Sequence, residues 1–325
     1  MSRSADVYGI EPSLIIRDYW LISTLWAWQR AVGSGYVHRA YPNPELSDVD
    51  NRVGRFVFGG GTSLSAAWGI TQRWSEDIDL ALSLSDRATP KHFTQACQQA
   101  FRTTALSLSA AHNVTDQGPS HCFASFLRDQ QAVARVDVTS RPLDAAPVWT
   151  QHETVMSMMG RMCDDDVLEA HPELGGFEVD TLGPGTTAMD KLLAQTRASM
   201  SGDLKRINER ARDLYDLACV ARDKDRFEGH LGRDSKALLY HSEWWLPPDD
   251  PKRPPDGFAS LRSFDPTTHE YEALAGGYDD VLNGMVWGEK IPLNEAIRLA
   301  VSLDPGPSEP NRPPEANPLV AYPRR

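Results

Sequence analysis

Residues 56–82 read FVFGGGTSLSAAWGITQRWSEDIDLAL, and the three consecutive glycines between two apolar runs restrict the fold more than any other stretch of the chain. Phe56, Val57 and Phe58 have the aromatic and β-branched character of a strand. Gly59, Gly60 and Gly61 then give a bend without Cβ atoms, where main-chain N–H groups can come close to a bound triphosphate. A short helix and a second strand follow, and the second strand carries Asp77 and Asp79. Side chains two residues apart on a strand share a face, so the two carboxylates are expected side by side. Hard cations such as Mg²⁺ take carboxylate and phosphate oxygens together. Alone, a glycine run is a turn and Asp-x-Asp a solvated strand edge. In strand–glycine–helix–strand order, with 15 residues between Gly61 and Asp77, they suit nucleotidyl transfer.

At 325 residues, 41% hydrophobic and 24% charged, the chain has core enough for one large domain or two moderate ones. No run of 18 apolar residues is present, and MSRSADVYGIEPSL lacks the basic-then-apolar layout of a secretory signal. The expectation is a cytoplasmic protein with no membrane partner. Cys97, Cys122, Cys163 and Cys219 show no C-x-x-C spacing and read as reduced thiols. A net charge of −12 argues against a general nucleic-acid binder. The charge is unevenly spread, however. Residues 163–180 carry seven acids and no Lys or Arg, whereas 191–212 carry Lys191, Arg197, Lys205, Arg206, Arg210 and Arg212 against Asp203 and Glu209. Such a basic face can contact one particular RNA, or it can be no more than solvated helix charge.

Helical spacing of Ile15, Tyr19, Leu21, Ile22, Leu25 and Trp28 predicts a first helix over 12–33. A helix is expected over 90–110, and strands over 121–128 and 133–138. The last of these alternates Val133, Arg135 and Asp137 with Ala134, Val136 and Val138. Residues 139–182 read as irregular structure and short strands. Helices are then expected over 186–200, capped by its threonines, and over 203–223, capped by Asp203, followed by 236–246 and 269–301. A Pro-rich connector occupies 247–256. The last 23 residues hold seven prolines and read as disordered. The expected organisation is α+β: a core domain over 1–180, a mainly helical domain over 181–302 and a tail over 303–325.

The pattern of an apolar strand, then Gly60-Gly61-Thr62-x-Leu64-Ser65, then Arg73-x-Ser75-x-Asp77-Ile78-Asp79-Leu80, resembles the AbiEii/AbiGii nucleotidyltransferase toxins, which include the mycobacterial MenT toxins and belong to the DNA polymerase β-like superfamily. Arg17-Asp18-Tyr19, Lys191-Leu192-Leu193-Ala194 and Arg212-Asp213-Leu214-Tyr215-Asp216-Leu217 extend the resemblance, in order, over residues 12 to 301. Gly59, Ser63, the connector and the tail depart from the family pattern.

The resemblance implies a polymerase β-like mixed sheet with flanking helices, and a helical domain that completes the active site. It implies Mg²⁺ or Mn²⁺ held by Asp77 and Asp79 with Asp137 as a third ligand, unless Asp137 is an exposed residue on an edge strand. Gly60 and Gly61, with the hydroxyls of Thr62 or Ser63, would cradle the phosphates of an NTP. Lys191 would steady the leaving pyrophosphate, Asp213 would orient Lys191 or contact the nucleotide, and Asp216 and Arg197 would support them. The implied acceptor is the 3′ end of tRNA, with Lys205, Arg206, Arg210 and Arg212 as contacts, so that aminoacylation and translation stop. A cognate antitoxin is implied too, as a kinase or a transcriptional regulator. Ser75 is a regulatory phosphorylation position by resemblance, and by the residues alone a hydroxyl bonding the turn. Two alternatives stay open: transfer to a protein or small molecule, and a nucleotide-binding module without catalysis.

Overall fold

The computed structural model describes residues 11–32, 36–38, 52–84, 90–118, 120–142, 150–161, 163–226 and 257–304. The first helix, α1 (Pro12–Val32), has Pro12 at its start and buries Ile15, Leu21, Ile22, Leu25 and Trp28. Tyr19, counted in the same stripe, is only half-buried. Strands β1 (Tyr36–His38) and β2 (Arg52–Gly59) lead into α2 (Gly60–Ala66), then β3 (Ile78–Leu84) and α3 (Pro90–Ser107). A meander follows: β4 (Ala111–Gly118), β5 (His121–Arg128) and β6 (Gln131–Pro142). Then come β7 (Thr150–Val155), two short helices α4 (Met158–Arg161) and α5 (Asp165–Ala170), and β8 (Phe177–Leu182).

These strands make one mixed sheet in the order β4-β5-β6-β3-β2-β8-β7, with β1 also paired to β2. The parallel pairs β3–β6 and β2–β8 sit between antiparallel ones. Alternation assigns the two faces. Phe56, Phe58, Ile78, Leu80, Leu82, Val136 and Val138 share one core with residues of α1 and α3. Trp28 meets Phe56 edge-on at 5.0 Å and Phe101 of α3 at 5.2 Å. At the intervening positions Val57 and Ala81 are buried too, whereas Asp79 and Asp137 are only partly covered. A strand face left partly open with carboxylates on it is the part of this fold available for chemistry.

Three sequence expectations shift here. Strand β3 starts at Ile78, so Asp77 immediately precedes it and Ser75 lies in the irregular segment before it, not on a strand face. Residues 111–118 form β4, a polar edge strand whose Ala-His-Asn-Val-Thr-Asp-Gln composition gives little strand signal. The stretch 150–182 holds two strands of the main sheet, one of them parallel to β2.

From Gly183 on, the chain belongs to a second compact unit, which is helical. Helix α6 (Pro184–Ser201) begins on Gly183 with Pro184 in its first turn, and Thr186 and Thr187 lie buried inside it instead of capping it. It ends at Gly202 in the left-handed conformation (φ 67°), as helix exits commonly do. Asp203 caps α7 (Leu204–Glu209) by accepting from the Lys205 and Arg206 backbone N–H groups. The single helix expected over 203–223 is two: Arg210 (φ −87°, ψ −1°) breaks it, and α8 (Ala211–Arg222) continues. Leu204, Ile207, Ala211, Leu214 and Ala218 keep their spacing across the break, so periodicity alone does not reveal a one-residue kink.

The region 269–301 is likewise two helices, α9 (His269–Gly284) and α10 (Leu293–Val301). Buried tyrosines pin the link between them: Tyr278 donates to the Ile291 carbonyl at 2.9 Å and Tyr215 to that of Glu289 at 3.1 Å. The expected helix at 236–246, the connector at 247–256 and the tail from 305 onward lie outside the described residues. No described helix is long and apolar enough to cross a membrane.

Candidate active site

Register makes the first cluster. Gly59 faces Asp79 across the antiparallel β2–β3 pair, and Asp79 faces Asp137 across the parallel β3–β6 pair. The glycine bend and two carboxylates therefore sit at one level on adjacent strands and share a face. Gly60 (φ 67°) is where the bend requires glycine: a Cβ there would lie 1.7 Å from Asp79 Oδ2. At Gly59 a Cβ would meet the Leu182 side chain, with Cδ1 at 2.8 Å. The Trp68 indole N–H, donating to the Leu182 carbonyl at 3.1 Å, secures the same corner from the other side.

Thr62 and Ser63 are buried and spend their hydroxyls on backbone carbonyls. Thr62 donates to Asp77 O, and Ser63 donates to Gly60 O at 2.8 Å. These bonds brace the loop, and the one from Thr62 ties it directly to the Asp77 backbone.

Burial pushes the Asp137 carboxyl up from the ordinary range; His121 pulls it back down and the Asp77 charge pushes it up again. His121, the first residue of β5, places Nε2 against Asp137 Oδ1. Sequence reasoning missed this histidine, although it opens the predicted strand antiparallel to 133–138. The pairing His121↔Thr139 puts it diagonally beside Asp137.

Among the described residues, no three His, Cys, Asp or Glu side chains gather at metal-ligand spacing. The three-carboxylate ligand set of Asp77, Asp79 and Asp137 is thus not assembled as a closed cage. The donor chemistry nonetheless fits a hard divalent cation. Mg²⁺ characteristically takes one or two carboxylates and completes its shell with substrate phosphates and water. Asp79 and Asp137 face each other as such a pair, and the repulsion from Asp77 felt at Asp137 is what a cation would relieve.

The second cluster is built within the helical unit. Lys191 of α6 is buried, and its ammonium donates to Asp213 Oδ1 at 2.6 Å and contacts Asp216 Oδ2 at 2.9 Å, both on α8. Arg210, at the kink, reaches Asp213 Oδ2 at 3.2 Å. Burial alone would raise the Asp213 carboxyl, but Lys191 and Arg210 hold it below the usual carboxylate range. Asp216, read from sequence as a support one turn away, touches the ammonium directly. Of the residues proposed for RNA, Lys205 and Arg206 are strongly exposed and lie outside this knot, Arg210 is exposed but pairs with Asp213 at its rim, and Arg212 is half-buried; Arg197, expected as a support for Lys191, is exposed.

The family profile described as "Nucleotidyl transferase AbiEii toxin, Type IV TA system" matches residues 51–283. The chain belongs to this family. The match takes in both clusters, from the β2 glycine bend to Asp216, so this AbiEii protein is a nucleotidyltransferase toxin of a type IV toxin–antitoxin system, and a cognate antitoxin goes with it. Among solved structures it is similar to MenT4, a nucleotidyltransferase toxin from Mycobacterium tuberculosis H37Rv, at 16% identity and TM-score 0.39 over 89% of this chain and 86% of that one. No curated protein matches it.

Proposed function

We propose that this AbiEii toxin transfers a nucleoside monophosphate from an NTP to the 3′ end of tRNA, in a reaction dependent on Mg²⁺ or Mn²⁺, and thereby blocks aminoacylation. The observation carrying this reading is the register that sets Asp79 and Asp137 opposite each other at the glycine bend, with Asp77 one residue before the strand. Asp77, Asp79 and Asp137 are the residues to hold the cation, which would supply charge neutralisation for the reacting phosphate and the attacking hydroxyl. The Gly60–Gly61 backbone receives the triphosphate, and the loop is held by the Thr62–Asp77 bond. Lys191 offsets negative charge that grows on the departing pyrophosphate, with Asp213 and Asp216 fixing its ammonium. Exposed Lys205, Arg206 and Arg210 supply contacts to the RNA backbone, with the cytoplasm as the place of action.

The deciding experiment incubates the full chain with each labelled NTP and total tRNA, total protein, or neither. Label on tRNA, lost in Asp77→Ala, is the expected result. Label on protein instead would move the acceptor to a side chain, and nucleotide binding without pyrophosphate release would reduce the protein to a binding module.

A further inference from the structure

Helix α6 carries a polar stripe on a face that is otherwise core. Thr187, Lys191, Gln195 and Ser199 recur every fourth residue and so line up along one side of the helix. All four are buried, Gln195 to 1% exposure and Thr187 to 2%. Two of them are accounted for: Lys191 by Asp213 and Asp216, and Ser199 by the Ser263 backbone N–H at 3.1 Å. Gln195 is not. Both its amide oxygen and its amide nitrogen lack a hydrogen-bond partner, as does Thr187 Oγ1. A buried primary amide with neither end satisfied is rare in folded proteins and destabilises them. Leucine would fill a comparable volume there without that penalty.

We infer that Gln195 is a specificity residue, which hydrogen-bonds the nucleobase of the NTP whose phosphates Lys191 neutralises; the inference rests on that reading of Lys191. The chemistry fits. An amide offers a donor and an acceptor side by side, as a base edge does, whereas a phosphate oxygen could use only the donor. The length scale fits as well, because four residues advance the helix by roughly 6 Å, about the step from phosphate toward sugar and base. A site built to hydrogen-bond its ligand discriminates strongly, because the wrong ligand leaves buried polar groups unpaired.

The test is equilibrium binding of ATP, CTP, GTP and UTP, each with Mg²⁺, to the full chain as wild type, Gln195→Leu and Gln195→Glu, alongside melting temperature. The wild type is expected to prefer one nucleotide by about tenfold or more. Gln195→Leu should compress that spread to within about threefold while triphosphate binding persists and melting stays level or rises. Gln195→Glu, which only accepts, should shift the ranking toward GTP, whose base edge presents N1–H and N2–H donors. An unchanged ranking in both variants overturns the inference, and a lowered melting point with that unchanged ranking assigns the amide to a buried water instead. A wild type that binds all four nucleotides equally overturns it too. If the wild type binds none of them, the failure lies in the reading of Lys191 and removes this one with it.

Discussion

The two clusters handle charge in opposite ways. On the sheet, Asp79 and Asp137 face each other half-buried, with Asp77 adding repulsion and the His121 ring in contact with Asp137. In the helical unit, buried Lys191 meets buried Asp213 and Asp216 while exposed Arg210 reaches Asp213 at the rim, so two positive groups answer two negative ones. The first arrangement gathers carboxylates on a partly covered strand face and suits a cation brought in with the substrate. The second is complete on its own and suits a fixed scaffold that presents one ammonium. Ligand-dependent charge belongs on an accessible strand face, whereas self-compensated charge can be buried.

Mutations should separate the two. The largest effect expected is on catalysis: Asp77→Ala or Asp79→Asn should cut nucleotide transfer on the order of a thousandfold while leaving the melting temperature unchanged or higher. Transfer at wild-type rate in either variant would remove the strand carboxylates from the chemistry. Next comes Lys191→Met, which strands two buried carboxylates and should cost about 3–5 kcal/mol of stability in a denaturant titration. A wild-type midpoint there would mean that the knot is not held by its ion pairs.

A third prediction uses pH. Asp18 on α1 is pushed up to about 6, chiefly by burial, against the opposing pull of the Met158 N–H at 2.6 Å and the Arg161 charge. A raised carboxyl favours the folded state below about pH 4, and that advantage is lost as pH rises through 6. Asp18→Asn keeps an acceptor for Met158, so it should stabilise the protein by about 1–3 kcal/mol at pH 7 and by nothing near pH 4. Asp213 has the opposite sign. Its lowered carboxyl contributes stability above pH 4 that is lost as pH falls toward 2. Unfolding midpoints from pH 8 to pH 3 in the wild type and Asp18→Asn would expose both slopes, and a flat difference between the two proteins would contradict the Asp18 assignment. Smallest of all, Arg206→Ala on the exposed face of α7 should leave stability within about 0.5 kcal/mol and lower tRNA binding in a salt-dependent way. Salt-independent binding would exclude that face as an RNA contact.

The Asp18 network shows where sequence reasoning stops. Arg17-Asp18-Tyr19 stood out as a motif, yet its part in the fold depends on residues 140 positions away: Asp18 accepts from Met158, and Arg161 on the same short helix donates to Ala66 O at the end of α2 at 3.1 Å. Ile15 packs with Trp74, three residues ahead of Asp77. Thus α1, read from its stripe as a core helix, also braces both ends of the segment joining the glycine bend to Asp77. Tertiary contact alone turns a helix motif into a support for the site. The same holds for His121, whose relation to Asp137 is a matter of hairpin register, and for Gln195, an ordinary helix residue until its burial and unmet amide are known.

Local chemistry was enough for the glycine bend, the paired aspartates that follow it, the first helix, the Asp203 cap and the order in which Lys191, Asp213 and Asp216 occur, because each depends on neighbours within a few residues. The resemblance of these local motifs to the AbiEii family made the chain legible as a nucleotidyltransferase. Only the folded chain decided that β3 pairs with β6 so that Asp79 meets Asp137, that Thr62 and Ser63 turn inward to brace the loop, that a kink at Arg210 brings that side chain to Asp213, and that Asp216 grips Lys191 directly. Those outcomes hang on strand register and helix packing, where one residue of slip turns a side chain to the opposite face. No short window of sequence contains that information.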